Sequence, residues 1–234
     1  MAKSMRMNYA VARAEPAFFQ SFLQRVFTWM LLGLVTTAAT AGAIGSSDSL
    51  LTEITENPGL VVAVILVQLG LVLAISFGIN RMSAATATAL FFVYAALTGV
   101  TFAFVFELYT AQSIFTTFLI AAGMFAVLAF MGATTQRDLT QLGPILFAAL
   151  IGLIVATVVN VFVANGALYW ITTYAGVLIF AGLTVYDMQK LRRYGEGAEG
   201  GEAESRAAVV GALALYLDFV NLFLFLLRIF GARR

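Results

Sequence analysis

Predominantly apolar runs of about 20 residues recur along the chain, at about 27–45, 59–78, 83–106, 113–134, 143–163, 169–189 and 207–230. A bilayer core about 30 Å thick takes roughly 20 apolar residues as a helix. A backbone exposed to lipid must satisfy its own hydrogen bonds, so helices are the default reading of every run. The pattern predicts an all-α polytopic membrane protein, a seven-transmembrane-helix bundle over 27–234 preceded by a cytoplasmic N-terminal segment, 1–26. The runs are rich in Gly, Ala, Ser and Thr ("LVTTAATAGAIG", "MSAATATALFF"), residues that let helices approach closely.

Composition sharpens this. Of 234 residues 62% are hydrophobic and 11% charged, with mean hydropathy +0.96, far from a soluble domain. The net charge of +1 gives no clustered basic face for nucleic acid. With no Cys and no His there is no disulfide, thiol nucleophile, zinc-type ligand set or imidazole base, and no enzymatic activity is expected. A response to pH between about 5 and 8 then falls to carboxylates in unusual surroundings.

The first run follows Lys3, Arg6, Arg13 and Arg25 and reads as a transmembrane helix, not a cleaved signal peptide. With the N-terminus in the cytoplasm, the inner segments also gain Arg81, Arg137, Lys190, Arg192, Arg193 and Arg206. Asp48, Glu53, Glu56 and Glu107 fall outside. A full seventh crossing leaves Arg228, Arg233 and Arg234 outside against that rule, whereas a re-entrant segment would bring them in. The length of 207–230, with no central Gly or Pro, favours full crossing. Between the sixth and seventh spans, "YGEGAEGGEAES" (194–205) reads as a flexible loop reaching about 20 Å. Such a loop frees the last helix to take a central place.

An ionisable residue within a membrane is by default a functional hypothesis. Asp187 closes the sixth span in "GLTVYDMQK", and Asp218 lies well inside the seventh in "LYLDFVNLFLFLLRIFG". Alone, Asp187 reads equally as an interfacial acid neutralised by Lys190, Arg192 and Arg193. Asp218 has no cation at i±3 or i±4; Asn221, at i+3, is its polar neighbour. Two carboxylates sharing a site cannot both ionise cheaply, so such a pair senses protons without histidine. Their pairing requires the seventh helix to begin about two turns outside the membrane core, around "SRAAVVGAL". Arg81, in "FGINRMS", is a topology-setting loop charge or a latch that grips an ionised acid. Arg228 needs an acceptor, Glu107 or Gln68, or else snorkels to the interface. Asn160 and Gln68 read as interhelical glue.

"GLTVYDMQK" followed by "GALALYLDFVNLFLFLLRIFG" resembles the signature of the Bax inhibitor-1 family (transmembrane Bax inhibitor motif family), in its bacterial branch. The resemblance extends through "INRMSAATATALFFVYAALTGVTFAFVFELYT", "GATTQRDLTQLG" and "GLIVATVVNVF", over roughly 20–234. It implies seven helices with the C-terminal helix central and a pH-sensitive Ca²⁺ leak across the bacterial inner membrane. It further implies a di-aspartate pH sensor and ion gate at Asp187 and Asp218 and a latch at Arg81, with Tyr186, Asn221 and Arg228 as supporting polar residues. Gln68 stands where some relatives carry an acid. Ca²⁺ enters as permeant ion, weakly held in transit by Asp187 and Asp218, and no tightly bound cofactor is expected. Ca²⁺ takes six to eight oxygens, so two carboxylates suit passage more than storage. Beside the lipid bilayer, Ca²⁺ and protons, a membrane-protein partner is open.

Two rivals belong to other classes. Tyr186–Asp187 fits an intramembrane aspartyl protease, but such enzymes use Gly-x-Gly-Asp where this chain has Leu215-Tyr216-Leu217-Asp218. A non-conducting regulatory protein that binds a protease or transporter would give no ion flux at any pH.

Overall fold

The computed structural model describes residues 2–197 and 200–234. Met1, and Ala198 and Glu199 in the middle of the expected loop, lie outside the described residues. So do the side chains of residues 2–19, Lys3, Arg6 and Arg13 among them, and those of Thr55 and Glu196. The described elements are helical: α1 (Ala2–Gly45), α2 (Asp48–Glu56), α3 (Pro58–Gly78), a 3₁₀ turn (Ile79–Arg81), α4 (Ala84–Leu108), α5 (Ala111–Thr134), α6 (Leu142–Val163), α7 (Gly166–Gly197) and α8 (Gly201–Phe230). Seven of them are long and apolar enough to cross a membrane, and the chain is an all-α polytopic membrane protein.

Two elements differ from the pattern. The first apolar run is the second half of one helix, α1, which runs from Ala2. The acidic loop after it contains α2, nine residues with an apolar face at Leu51 and Ile54. Pro58 starts α3 at a position where its missing N–H costs nothing.

The largest correction concerns 194–205. Helix α7 continues to Gly197 and α8 begins at Gly201, with Gly200 and Gly201 at φ 88° and 86°. Glycine takes that left-handed turn without strain, so two long helices reverse direction over a very short linker. Two acids in the first turn of α8, Glu202 and Glu204, favour its N-terminus by charge–dipole interaction.

The chain divides into two compact units, Met1–Phe102 with Lys190–Leu213, and Ala103–Gln189 with Ala214–Arg234. In the first, α1 and α4 touch through small residues. A Cβ added at Gly99 would lie 2.5 Å from Thr40 Cβ and 2.7 Å from the Thr37 carbonyl. The Thr37 hydroxyl donates to the Ala95 carbonyl at 2.9 Å, and the Gln68 amide donates to Thr98 at 3.0 Å, binding α3 to α4. Gln68 thus serves as the interhelical glue its sequence context suggested. Leu191 of α7 packs on Gly211 of α8, and Phe22 of α1 meets Tyr194 at 5.5 Å.

In the second unit α8 is held by rings. Phe219 packs edge-on against Phe118 and Phe125 of α5, both at 5.5 Å, and Phe225 stacks on Phe180 of α7. Gly176 of α7 leaves room for Phe225, whose ring would lie 2.6 Å from a Cβ there. The apolar window of α8 is 72% buried, against 6% for α3 and for α6. A helix apolar all round is either buried in the core or facing lipid, and burial separates α8 from those two.

Segment 231–234 returns along the α4–α5 turn: Thr110 N–H donates to the Ala232 carbonyl at 3.0 Å, and Arg234 N–H to the Leu108 carbonyl at 3.1 Å. The far end of α8 therefore sits at the α4–α5 turn, and its 30 residues form one unbroken helix about 45 Å long at 1.5 Å per residue.

Candidate functional site

Asp187 and Asp218 both lie in the second unit, on antiparallel neighbours. Gly176 opposes Phe225 and Leu191 opposes Gly211. That register puts the two acids roughly 5 Å apart along the helix axes, by the 1.5 Å rise. The charge of Asp187 acts on Asp218. Asp187 is half-buried; Asp218 is 4% exposed and its Oδ2 has no hydrogen-bond partner. A buried carboxylate so placed costs several kcal/mol if it ionises without compensation. The extension of α7 and α8 beyond the apolar runs is what allows the two acids to come level.

Each residue of "YDMQ" has a distinct setting. The Tyr186 ring lies on Gly143 at the start of α6, where a Cβ would come within 2.5 Å of its hydroxyl and 2.6 Å of Cζ. Met188 packs on Gly132 of α5, whose added Cβ would collide with the Val185 carbonyl oxygen and come within 2.8 Å of Met188 Cβ. Gln189, 3% exposed, holds the α5–α6 connection at two points: Oε1 accepts from Leu139 N–H at 2.9 Å and Nε2 donates to the Arg137 carbonyl at 2.8 Å. Asp187 is thereby carried on a helix seated against α5 and α6.

Gln189, Gly132 and Gly143 were not singled out from the sequence. The signal was present, because "GATTQRDLTQLG" opens on Gly132 and closes on Gly143, glycines of α5 and α6 against which α7 packs.

The other expected site residues fall differently. Asn221 donates to the Leu217 carbonyl of its own helix at 2.8 Å, a satisfied i−4 bond in place of a polar contact with Asp218. Arg228 takes aromatic faces in place of an acceptor, with its guanidinium carbon 4.9 Å from the Phe225 ring and 5.6 Å from that of Tyr169. Arg81 ends the 3₁₀ turn in the first unit and is exposed.

Beside that turn is a polar cluster whose acids, Glu202 and Glu204, fall in the expected flexible loop 194–205. Glu202 accepts from Ala84 N–H at 2.6 Å, Arg206 donates to the Met82 carbonyl at 3.3 Å, and Glu204, 3% exposed, faces Arg25 of α1 at 3.7 Å. The start of α8 thus clasps both α1 and the 3₁₀ turn that carries Arg81. Among the described residues no cluster of three or more acids could form a full metal cage.

The family described as "Inhibitor of apoptosis-promoting Bax1" matches residues 19–234. "Inner membrane protein YbhL" of Escherichia coli (strain K12) is 44% identical over 220 residues, 93% of this chain and 94% of that protein. An uncharacterized protein of Borreliella burgdorferi is 44% identical over 214 residues (91% and 92%), and one of Deinococcus radiodurans 39% over 233 (100% of each). With seven apolar helices, the first relative's name supports a multi-pass protein of the bacterial inner membrane. The chain belongs to the Bax inhibitor-1 family.

Proposed function

We propose that the protein is a pH-sensitive calcium leak channel, oriented with its N-terminus in the cytoplasm, in which protonation of the Asp187–Asp218 pair gates the path and Arg81 is the latch. The observation that carries this reading is a buried carboxylate with an unpartnered oxygen inside the most buried helix, within electrostatic reach of a second carboxylate. When both are charged they repel, and a cation is the natural counterweight. Protonation removes the need for that cation, so the latch releases as pH falls. Two carboxylates offer Ca²⁺ fewer oxygens than its usual six to eight, which suits an ion in transit. Chemistry is not part of the proposal, since Asp218 follows Leu215-Tyr216-Leu217 and lacks the glycine-flanked setting of an aspartyl protease.

Purified protein in liposomes loaded with a Ca²⁺-sensitive dye tests this. Flux is expected to rise as pH falls from about 8 to about 6. Asp187→Asn and Asp218→Asn are expected to flatten the profile, and Arg81→Gln to raise flux at the alkaline end. Absence of flux at every pH in correctly folded protein would favour the non-conducting, partner-binding reading.

A further inference from the structure

Arg228, Arg233 and Arg234 gather where α8 ends. In the second unit that end also holds the α4–α5 turn and the first turn of α7, since Arg233 forms an antiparallel backbone bridge with Tyr109, within electrostatic reach of Tyr169, and Arg228 lies over the Tyr169 ring. Among the described residues no carboxylate forms a salt bridge with any of the three. The acid of this end, Glu107, is exposed. The Arg228 guanidinium rests on ring faces and those of Arg233 and Arg234 are exposed, which leaves most of their N–H donors unused.

The backbone that carries Arg233 and Arg234 is fixed. Two backbone hydrogen bonds, Thr110 to Ala232 and Arg234 to Leu108, fix segment 231–234, and Gly231 lies against the Tyr109 ring without room for a Cβ. The adjoining surface has the make-up of a membrane interface. Trp170 and Tyr174, 44% and 54% exposed, stack at 5.8 Å in the first turns of α7, and Leu108, Ile171 and Phe230 at the same end are also exposed. Aromatic belts of this kind sit at headgroup level. Lys190, Arg192 and Arg193 mark the opposite end of α7, so the three arginines are cations at the end where the charge rule of membrane topology disfavours them. A counter-anion at that level offsets the exception.

We propose that Arg228, Arg233 and Arg234, with Tyr169, Trp170 and Tyr174, form a binding site for the phosphate headgroup of an anionic phospholipid. Guanidinium edges match phosphate oxygens in bidentate geometry, and the flanking apolar side chains receive the acyl chains. A free phosphate would have no use for that apolar flank.

The chain has two tryptophans, and Trp29→Phe leaves Trp170 as the reporter. In full-length protein reconstituted into phosphatidylcholine vesicles, brominated phosphatidylglycerol should quench Trp170 well beyond brominated phosphatidylcholine at equal mole fraction. At about 1 kcal/mol for each basic residue near an anionic surface, local enrichment is roughly fivefold per arginine engaged. Arg233→Gln with Arg234→Gln, both at exposed positions, should bring the two lipids close to parity, while Arg137→Gln at the α5–α6 connection should leave the excess intact. Equal quenching by both lipids, or an excess that survives the double change, overturns the proposal. Loss of the excess in millimolar inorganic phosphate at constant ionic strength would also overturn it, by showing a site for free phosphate.

Discussion

Replacing Gly132 by alanine tests whether the seat of α7 on α5 positions the acid pair. The added Cβ would meet the backbone oxygen of Val185 and, at 2.8 Å and 3.1 Å, Met188 Cβ and the Val185 carbonyl carbon. None of these is the far end of a flexible side chain, so α7 itself has to move. Overpacking of this kind costs about 1–3 kcal/mol, and a carbonyl as the obstacle puts Gly132 in the upper part of that range. Alanine gains about 0.8–1.0 kcal/mol of helix propensity, leaving a net loss of about 1–2 kcal/mol, or roughly 2–8 °C in Tm for a chain of this size. Gly123, on the same helix with nothing within 4 Å of an added Cβ, is the internal control. Gly123→Ala keeps the propensity gain without the collision and should be neutral or stabilising. Thermal unfolding in one detergent, followed by size-exclusion or far-UV circular dichroism, reads both. Because Val185 and Met188 flank Asp187, the Gly132 variant should also shift the midpoint of pH-dependent flux. A Gly132→Ala protein as stable as Gly123→Ala, with an unmoved midpoint, would refute the reasoning.

Three further outcomes are expected. Gln189→Ala removes two buried hydrogen bonds and leaves the Leu139 N–H and Arg137 carbonyl to find new partners; a loss of about 1–3 kcal/mol should appear with faster proteolysis in 135–141. Arg25→Gln should destabilise more than Glu204→Gln, by about 1 kcal/mol in thermal unfolding, since it strands a buried carboxylate while the reverse change leaves a half-exposed arginine free to hydrate. Asp218→Asn preserves volume and removes ionisation, so its liposome flux should be level from about pH 6 to 8, whereas Asn221→Ala, whose amide serves its own helix, should keep the wild-type slope.

Much of the site was legible because single residues broke a strong pattern: Asp187 and Asp218 are carboxylates in apolar runs, where an unpaired charge is costly whatever the packing. The supporting glycines were harder to see. Gly132 and Gly143 look like the exposed Gly123 and Gly152 in sequence, and only the neighbouring helix distinguishes a glycine that admits Val185 or Tyr186 from one that faces open space. Glu204 was hidden for another reason. In "EGAEGGEAES" local propensity favours a loop, since glycine is a poor helix former. The helix forms there because Glu202 meets the Ala84 amide, Glu204 meets Arg25 and Arg206 meets the Met82 carbonyl, long-range contacts that propensity does not contain.

Sequence by itself determined that this chain is helical, polytopic and equipped with two intramembrane acids, because hydropathy over about 20 residues is set by transfer from water to lipid. Tertiary structure decided which helix is buried: α3 and α8 are both apolar, yet their windows are 6% and 72% buried. It also decided where polar side chains turn, sending Arg228 to aromatic faces and Asn221 to its own backbone. Bilayer partitioning acts on each segment alone, whereas burial and hydrogen-bond choice depend on which surfaces the other helices leave unfilled.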